Sequence, residues 1–323
     1  MALFLAEADV PHLLSIERAI ERVEESFLAW AHGYATNQPR QRIFIPGLSF
    51  HTMAAAWQGE DLIGMKVYTV SRSGFQFLVL LFDAASGELL ALMEADQLGR
   101  MRTGAASAVA TKFMARAGAS RVGVIGTGRQ ARTQLQAVAI VRKVSEVRVY
   151  SRDRARRALF AREMAYRLGV PVAAAQSAEK AVSFGEIVIT ATNAAEPVLT
   201  GAWLRPGTHV NAIGSNMAER REVDDGTLAR AALIAVDSLE QAKIEAGDLI
   251  QGKAALRGGW GGVVELKDIV AGYRPGRSGE DDITLFKSTG LALWDVAVAS
   301  EIYRRARERG MGREVQIRGQ DIA

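Results

Sequence analysis

The stretch Val122-Gly123-Val124-Ile125-Gly126-Thr127-Gly128-Arg129-Gln130-Ala131 constrains this chain more than any other. A short β-branched run ends in Gly-x-Gly-x-x-Ala, and a helix-like segment, 132–141, follows. That is the strand–turn–helix of a dinucleotide fold. Gly126 permits the tight turn, Gly128 lets the backbone approach a pyrophosphate, and Ala131 lets the helix lie close to the sheet. The helix N-terminus then offers N–H groups and a positive dipole end to phosphate. Thr127, Arg129 and Gln130 share the turn and join the two glycines as cofactor-binding candidates. The alternative is a merely structural glycine turn; the second strand expected at 146–150 argues against it.

An NAD site usually places an acid at the end of that second strand, on the ribose 2′-hydroxyl. Here the chain reads Val149-Tyr150-Ser151-Arg152-Asp153. Ser151 is a small hydrogen-bond donor, and Arg152 can pair with a 2′-phosphate through its planar fork. A charge-assisted bond of this kind contributes about 1.5–3 kcal/mol, enough to set cofactor choice. NADP(H) is therefore expected to be preferred. NAD(H) stays open as the alternative if Asp153 turns inward or Arg152 is a solvated loop arginine.

With 323 residues, 49% of them hydrophobic, the chain can build two domains. It has no cysteine, which excludes disulfides, thiolate zinc sites and a cysteine nucleophile. The four histidines, His12, His32, His51 and His209, lack metal-ligand spacing, so no metal site is expected. The net charge of +4 comes from arginines on helical faces such as 152–167 and 304–309. Acids interrupt them and no aromatics interleave, so they read as solvated faces rather than a nucleic-acid surface. The N-terminus lacks a signal-peptide pattern, and the apolar run 77–82 is too short to span a bilayer. A soluble cytoplasmic protein without a membrane partner is the expectation.

Leu13, Ile16, Ile20, Val23, Phe27, Leu28 and Trp30 recur at helical spacing within 12–34. Strands are predicted at 42–45, 52–58, 62–70, 75–83 and 89–94, with turns at Ser73-Gly74 and Ser86-Gly87. The first hundred residues thus read as a helix plus an antiparallel sheet. From residue 119 strands alternate with helices, at 121–125, 146–150, 187–190, 209–213 and 233–236, which implies a parallel, doubly wound sheet. Ala-rich helices at 103–116 and 290–309 join the halves. The expected architecture is α/β: a Rossmann domain, 116–299, and a discontinuous α+β domain, 1–115 with 300–323. The crevice between them is the default active site. The glycine-rich segment 247–262 reads as a surface loop.

Several longer motifs carry a resemblance: Arg100-Met101-Arg102-Thr103-Gly104-Ala105-Ala106-Ser107, the glycine turn, Thr190-Ala191-Thr192, Asn211-Ala212-Ile213-Gly214-Ser215-Asn216 and Ile283-Thr284-Leu285-Phe286-Lys287-Ser288. Over nearly its whole length the chain resembles the ornithine cyclodeaminase/μ-crystallin family. The resemblance implies a Rossmann domain, a substrate-binding and dimerising N-terminal domain, hence a homodimer, and a small imino, keto or amino acid as substrate. It adds Ala191, Thr192, Ile213 and Gly214 to the cofactor-binding candidates. It places Arg42, Lys66 and Arg102 around the substrate's α-carboxylate and reacting atom. An Arg fork suits a carboxylate, and a cleft lysine whose pKa is lowered by neighbouring Arg charges makes a proton donor. The plainer alternatives are a loop arginine, an outward-facing strand lysine and a first-turn surface arginine.

Two departures matter. Where cyclodeaminases have a catalytic aspartate this chain has Asn216, which cannot act as a base. Glu219, Asp224 and Asp225 lie downstream and read as helix-start or solvent residues. Cyclodeaminases also carry a glutamate that falls near Met53 here, where no carboxylate is available. Three functions follow in order of preference. The first is an NAD(P)H-dependent ketimine reductase or amino-acid dehydrogenase, acting on cyclic ketimines or on α-keto acids with an amine, in which Asn216 positions nitrogen or water. The second is an ornithine or lysine cyclodeaminase recycling NAD⁺. The third is a non-catalytic NADPH-dependent binding protein. Phe50, Met53, Tyr68, Val79 and Trp260 are either pocket-lining or core.

Overall fold

Period-two alternation builds the first sheet. In the computed structural model, which describes residues 1–317, the opening hundred residues supply β1 (Ala2–Leu5), β2 (Ala35–Asn37), β3 (Gln41–Ile45), β4 (Leu48–Trp57), β5 (Leu62–Ser71), β6 (Gly74–Asp83) and β7 (Leu89–Glu94). The order is Arg313–Val315, β1, β7, β6, β5, β4, β2, with β3 paired to β4. Met53, Ala55, Lys66, Tyr68, Val79, Leu81, Ala91 and Met93 are buried at alternate positions, as expected of one packed face. Helices Ile16–Ala31 and Ala292–Arg309 pack with this sheet. Gly64 is required there: a Cβ would lie 2.8 Å from the Leu80 carbonyl oxygen and 2.9 Å from Val296. Phe27 and Trp294 meet edge to face, with centroids 5.4 Å apart. The alternate positions Met65, Val67, Leu78, Leu80 and Leu92 stay half-buried, and Ile43, Phe44 and Ile45 are exposed.

The sheet is not purely antiparallel as expected, because β1 runs parallel to β7. Hairpin signals act between sequence neighbours, and these two strands are not neighbours. β1, β2 and Arg313–Val315 are only three or four residues long, too short to show a period.

The second sheet contains β8 (Arg121–Ile125), β9 (Glu146–Tyr150), β10 (Val172–Ala174), β11 (Ile187–Thr190), β12 (His209–Ala212), β13 (Ala231–Val236), β14 (Val263–Glu265) and β15 (Ile283–Lys287). They are all parallel, in the order β10-β9-β8-β11-β12-β15-β13-β14. The direction of winding reverses between β8 and β11, which is where such sheets bind ligands. The two compact units are Met1–Arg102 with the segment from Leu291 onward, and Thr103–Gly290. Both junctions precede the expected breaks after 115 and 299.

Segment 247–262 is not the expected surface loop. It forms helix Gly247–Gln251 and short turns at Lys253–Ala255 and Gly259–Gly262, and Leu249 and Leu256 enter the core. Gly247, Gly252 and Gly262 serve close packing: a Cβ on Gly247 would lie 2.0 Å from the Arg220 carbonyl oxygen. Trp260 packs half-buried against that core, while Met53, Tyr68 and Val79 are buried in the first unit. Among the described residues no helix is long and apolar enough to cross a membrane, and no group of three His, Cys, Asp or Glu side chains is placed to hold a metal ion.

Candidate functional site

Lys66 lies on the packed face of β5, so its side chain is buried rather than outward; it is 4% exposed. Its Nζ is 3.0 Å from Asp295 Oδ1. Arg102 Nε donates to the same oxygen at 3.1 Å. Asp295 is 1% and Arg102 6% exposed, and among the described residues no hydrogen-bond partner meets Asp295 Oδ2. Gly99 leaves room for the amine, since a Cβ there would lie 2.7 Å from Lys66 Nζ. The Phe77 ring sits 5.2 Å away.

One carboxylate serving two buried cations leaves a local excess of positive charge. Removing ions from water is costly without such pairing. Burial pushes the Lys66 ammonium down from its ordinary 10.5, Asp295 holds it up, and Arg102 and Arg40 push it down again, to about 8. The expected cause was neighbouring arginines; burial is the larger one. An amine titrating there is a usable proton donor near neutral pH.

Arg42 is the second residue of β3, which Gln41 opens one position earlier than expected, and it pairs in register with His51 on β4. His51 stacks on Tyr68 with centroids 4.3 Å apart. Burial, then Arg42 and Arg40, push its pKa down to about 4, so it is neutral at pH 7. Arg102 lies in the second turn of helix Asp96–Met114, not at a helix start as expected. Sequence reasoning missed Arg40, Gly99 and Asp295. It found no carboxylate near Met53, whose register partner is Lys66. Asp295 supplies one from 229 residues further along the chain. A signal existed: Ala292-Leu293-Trp294-Asp295-Val296-Ala297-Val298-Ala299 is an apolar helix with a single acid, and a buried acid needs a partner.

In the second unit Gly126 has φ +113°, and a Cβ there would lie 2.4 Å from the Ala191 carbonyl oxygen. Gly128 caps helix Arg129–Val141 with no side-chain hydrogen bond, and nothing lies within 4 Å of where its Cβ would be. Glycine at the cap of this helix N-terminus, with open space where a side chain would stand, fits the close approach of a pyrophosphate. The Thr127 carbonyl accepts from Arg132 Nη1 at 2.7 Å. Past β9, Ser151 Oγ donates to the Asp153 carbonyl at 3.1 Å, and Arg152 is exposed. Asp153 does not turn inward: it caps helix Arg154–Leu168, accepting from Arg156 N at 3.0 Å.

Ala191 and Thr192 follow β11, and Ile213 and Gly214 follow β12. Because β9, β8, β11 and β12 are adjacent and parallel, residues 126–130, 151–152, 191–192 and 213–214 gather along one carboxyl edge. The buried Glu222 carboxylate binds both of the last two pairs: Thr192 N and Oγ1 at 2.7 Å each, Gly214 N at 2.6 Å, and also Thr190 Oγ1 at 2.8 Å. Asn216 is half-buried beyond β12, and Lys287 Nζ donates to the Ser215 carbonyl at 2.6 Å. Asp224 caps helix Asp225–Arg230, and Glu219 is exposed. Glu222 and Lys287 are further residues that single-site sequence patterns did not single out.

The sequence model of the ornithine cyclodeaminase/mu-crystallin family matches residues 1–310. The chain belongs to this family. A Bacillus cereus Delta(1)-pyrroline-2-carboxylate reductase is 36% identical over 273 residues, covering 82% of this chain and 84% of that one. The structure of Thermococcus litoralis Delta(1)-pyrroline-2-carboxylate reductase in complex with NADH and L-proline superposes with a TM-score of 0.93 at 37% identity, over 97% of this chain and 100% of that one. An archaeal alanine dehydrogenase dimer with bound NAD gives a TM-score of 0.92 at 31% identity, over 98% and 99%.

Proposed function

We infer that this family member is a nicotinamide-dependent oxidoreductase that reduces a C=N bond beside a carboxylate. The substrate is a cyclic ketimine, or the imine of an α-keto acid with ammonia or an amine. The buried Lys66, 3.0 Å from Asp295 and titrating at about 8, carries this reading. When bound, the reduced nicotinamide supplies a hydride for the imine carbon. Lys66 supplies the proton for the nitrogen, so the C=N π bond becomes one C–H and one N–H bond. Arg42 and Arg102 hold the carboxylate; Arg102 keeps four N–H donors beyond the Nε given to Asp295. Their charge also stabilises negative charge developing on the substrate. Asn216 positions nitrogen or water by hydrogen bonds alone, which favours reduction over the cyclodeaminase reaction.

The dinucleotide-binding residues are Gly126, Thr127, Gly128, Arg129, Gln130, Ser151, Arg152, Ala191, Thr192, Ile213 and Gly214. NADP(H) is preferred, because Asp153 is engaged as a helix cap and leaves Ser151 and Arg152 to meet the 2′-phosphate. The half-buried apolar face of the first sheet, edged by the exposed Ile43, Phe44 and Ile45, supports a homodimer. The need for a reduced nicotinamide pool favours the cytoplasm.

The test is NADPH absorbance with pyrroline- and piperideine-2-carboxylate, and with keto acids plus ammonia or methylamine. NADPH oxidation is expected with at least one. The Ser151→Asp, Arg152→Ala double variant moves the preference to NADH. Ammonia release from ornithine with no NADPH oxidation would establish the lyase instead, and cofactor binding without turnover a binding protein.

A further inference from the structure

Glu222 is fully buried and follows the segment that leaves β12. Its two carboxylate oxygens are divided between two loops. Oε1 accepts from Thr192 N and Thr192 Oγ1, both at 2.7 Å. Oε2 accepts from Gly214 N at 2.6 Å and Thr190 Oγ1 at 2.8 Å. The main chain that carries it is itself fixed. The Glu222 carbonyl accepts from Val198 N at 2.8 Å and Leu199 N at 3.0 Å. Asp248 Oδ1 accepts from Glu222 N at 2.5 Å and Val223 N at 2.9 Å. Lys287 completes the group, 2.8 Å from Asp248 Oδ2 and 2.6 Å from the Ser215 carbonyl. Gly214 leaves no room for slack: a Cβ there would lie 2.2 Å from the Thr192 carbonyl oxygen and 2.4 Å from Glu222 Oε1.

A buried carboxylate is expensive unless its lone pairs are satisfied. Here four donors satisfy it, three of them on Thr192 and Gly214. We propose that Glu222 is the positioning residue that ties the 191–192 loop to the 213–214 loop and so shapes the seat for the nicotinamide half of the dinucleotide. Glu222 touches no ligand in this role; it sets the separation of the two loops that do. Glu222 accepts no hydrogen bond from the glycine turn after β8 or from Ser151 after β9. It reaches the glycine turn through the Ala191 carbonyl packed against Gly126, so the adenosine half is the less directly coupled of the two. The inference rests on the proposed dinucleotide function of the second unit.

Glu222→Gln is the sharp probe. A glutamine has the same size, but whichever oxygen becomes an amide nitrogen then faces a backbone N–H, of Thr192 or of Gly214. Two donors repel, and one loop is released. The full-length protein is titrated with NADPH by fluorescence and with 2′,5′-ADP by calorimetry. The expected result is an NADPH Kd raised about tenfold or more, as for a buried donor left unsatisfied, with the 2′,5′-ADP Kd unchanged. Glu222→Asp, too short to reach both loops, should show the same split and carries the measurement if Glu222→Gln does not fold. Equal weakening of both ligands, no weakening of either, or failure of both variants to fold overturns the proposal in favour of a general structural role. A wild-type protein that binds neither ligand overturns the underlying dinucleotide reading instead.

Discussion

Lys66 and Arg102 share one oxygen of Asp295, and that sharing governs the proton balance of the first unit. The lysine is pulled to about 8 by burial against the opposing pull of Asp295. In the proposed role of proton donor it must be charged, so kcat/KM should fall as pH rises through about 8. Asp295→Asn removes the group that holds the pKa up. The falling limb should then move to lower pH by about one unit, measured as a pH–rate profile; a limb that stays put would remove Lys66 from the proton step. Much at this scale was legible. Arg102 stands in a recognisable motif, Arg42 and Lys66 are candidates only through the family resemblance, and the alternation of β5 decides which way Lys66 points. Asp295 and Arg40 were not, because a counterion is chosen in space and local pattern is blind to it.

Elements with a strong period were read nearly to their ends. The strands β5, β6 and β7 and the glycine turn before helix Arg129–Val141 follow from alternation and turn chemistry. β10, β14 and the terminal strand are three residues each and carry no period. β15 carries a family motif but no strand pattern, since Thr284 and Lys287 interrupt its apolar run. Helix ends are also settled by distant partners. Helix Asp96–Met114 ends beneath Arg142, whose Nη2 donates to the Thr111 carbonyl at 2.8 Å and to those of Lys112 and Ala115 at 3.1 Å. Its Nε donates to the Arg116 carbonyl at 3.2 Å. Arg142→Met should cost about 2 kcal/mol, the order expected when carbonyls lose a charged partner. Urea melts compare the two proteins; a difference below about 0.5 kcal/mol would deny the guanidinium a capping role.

Across the whole molecule, the change from period-two strands to strand–helix alternation near residue 119 announced two kinds of sheet. The parallel pairing of β1 with β7 was hidden, because it joins segments far apart in sequence. Stability at this scale should depend on acid through His209, fully buried and 2.9 Å from Thr284 Oγ1. Burial, with Arg277 nearby, pushes its pKa down from 6.5 to about 3. The unfolded chain takes up this proton below about 6.5 and the folded one does not. The stabilisation is therefore complete above that pH and drains away as pH falls toward 3. It amounts to about 2 kcal/mol lost between pH 7 and pH 5; His209→Asn should flatten that part of the curve in denaturant titrations. The first unit closes only with the segment from Leu291 onward. During translation the ribosome therefore releases residues 103–290 before Asp295 is made. Until Asp295 emerges, the newborn Lys66 amine and Arg102 guanidinium lack the shared carboxylate around which the finished unit folds.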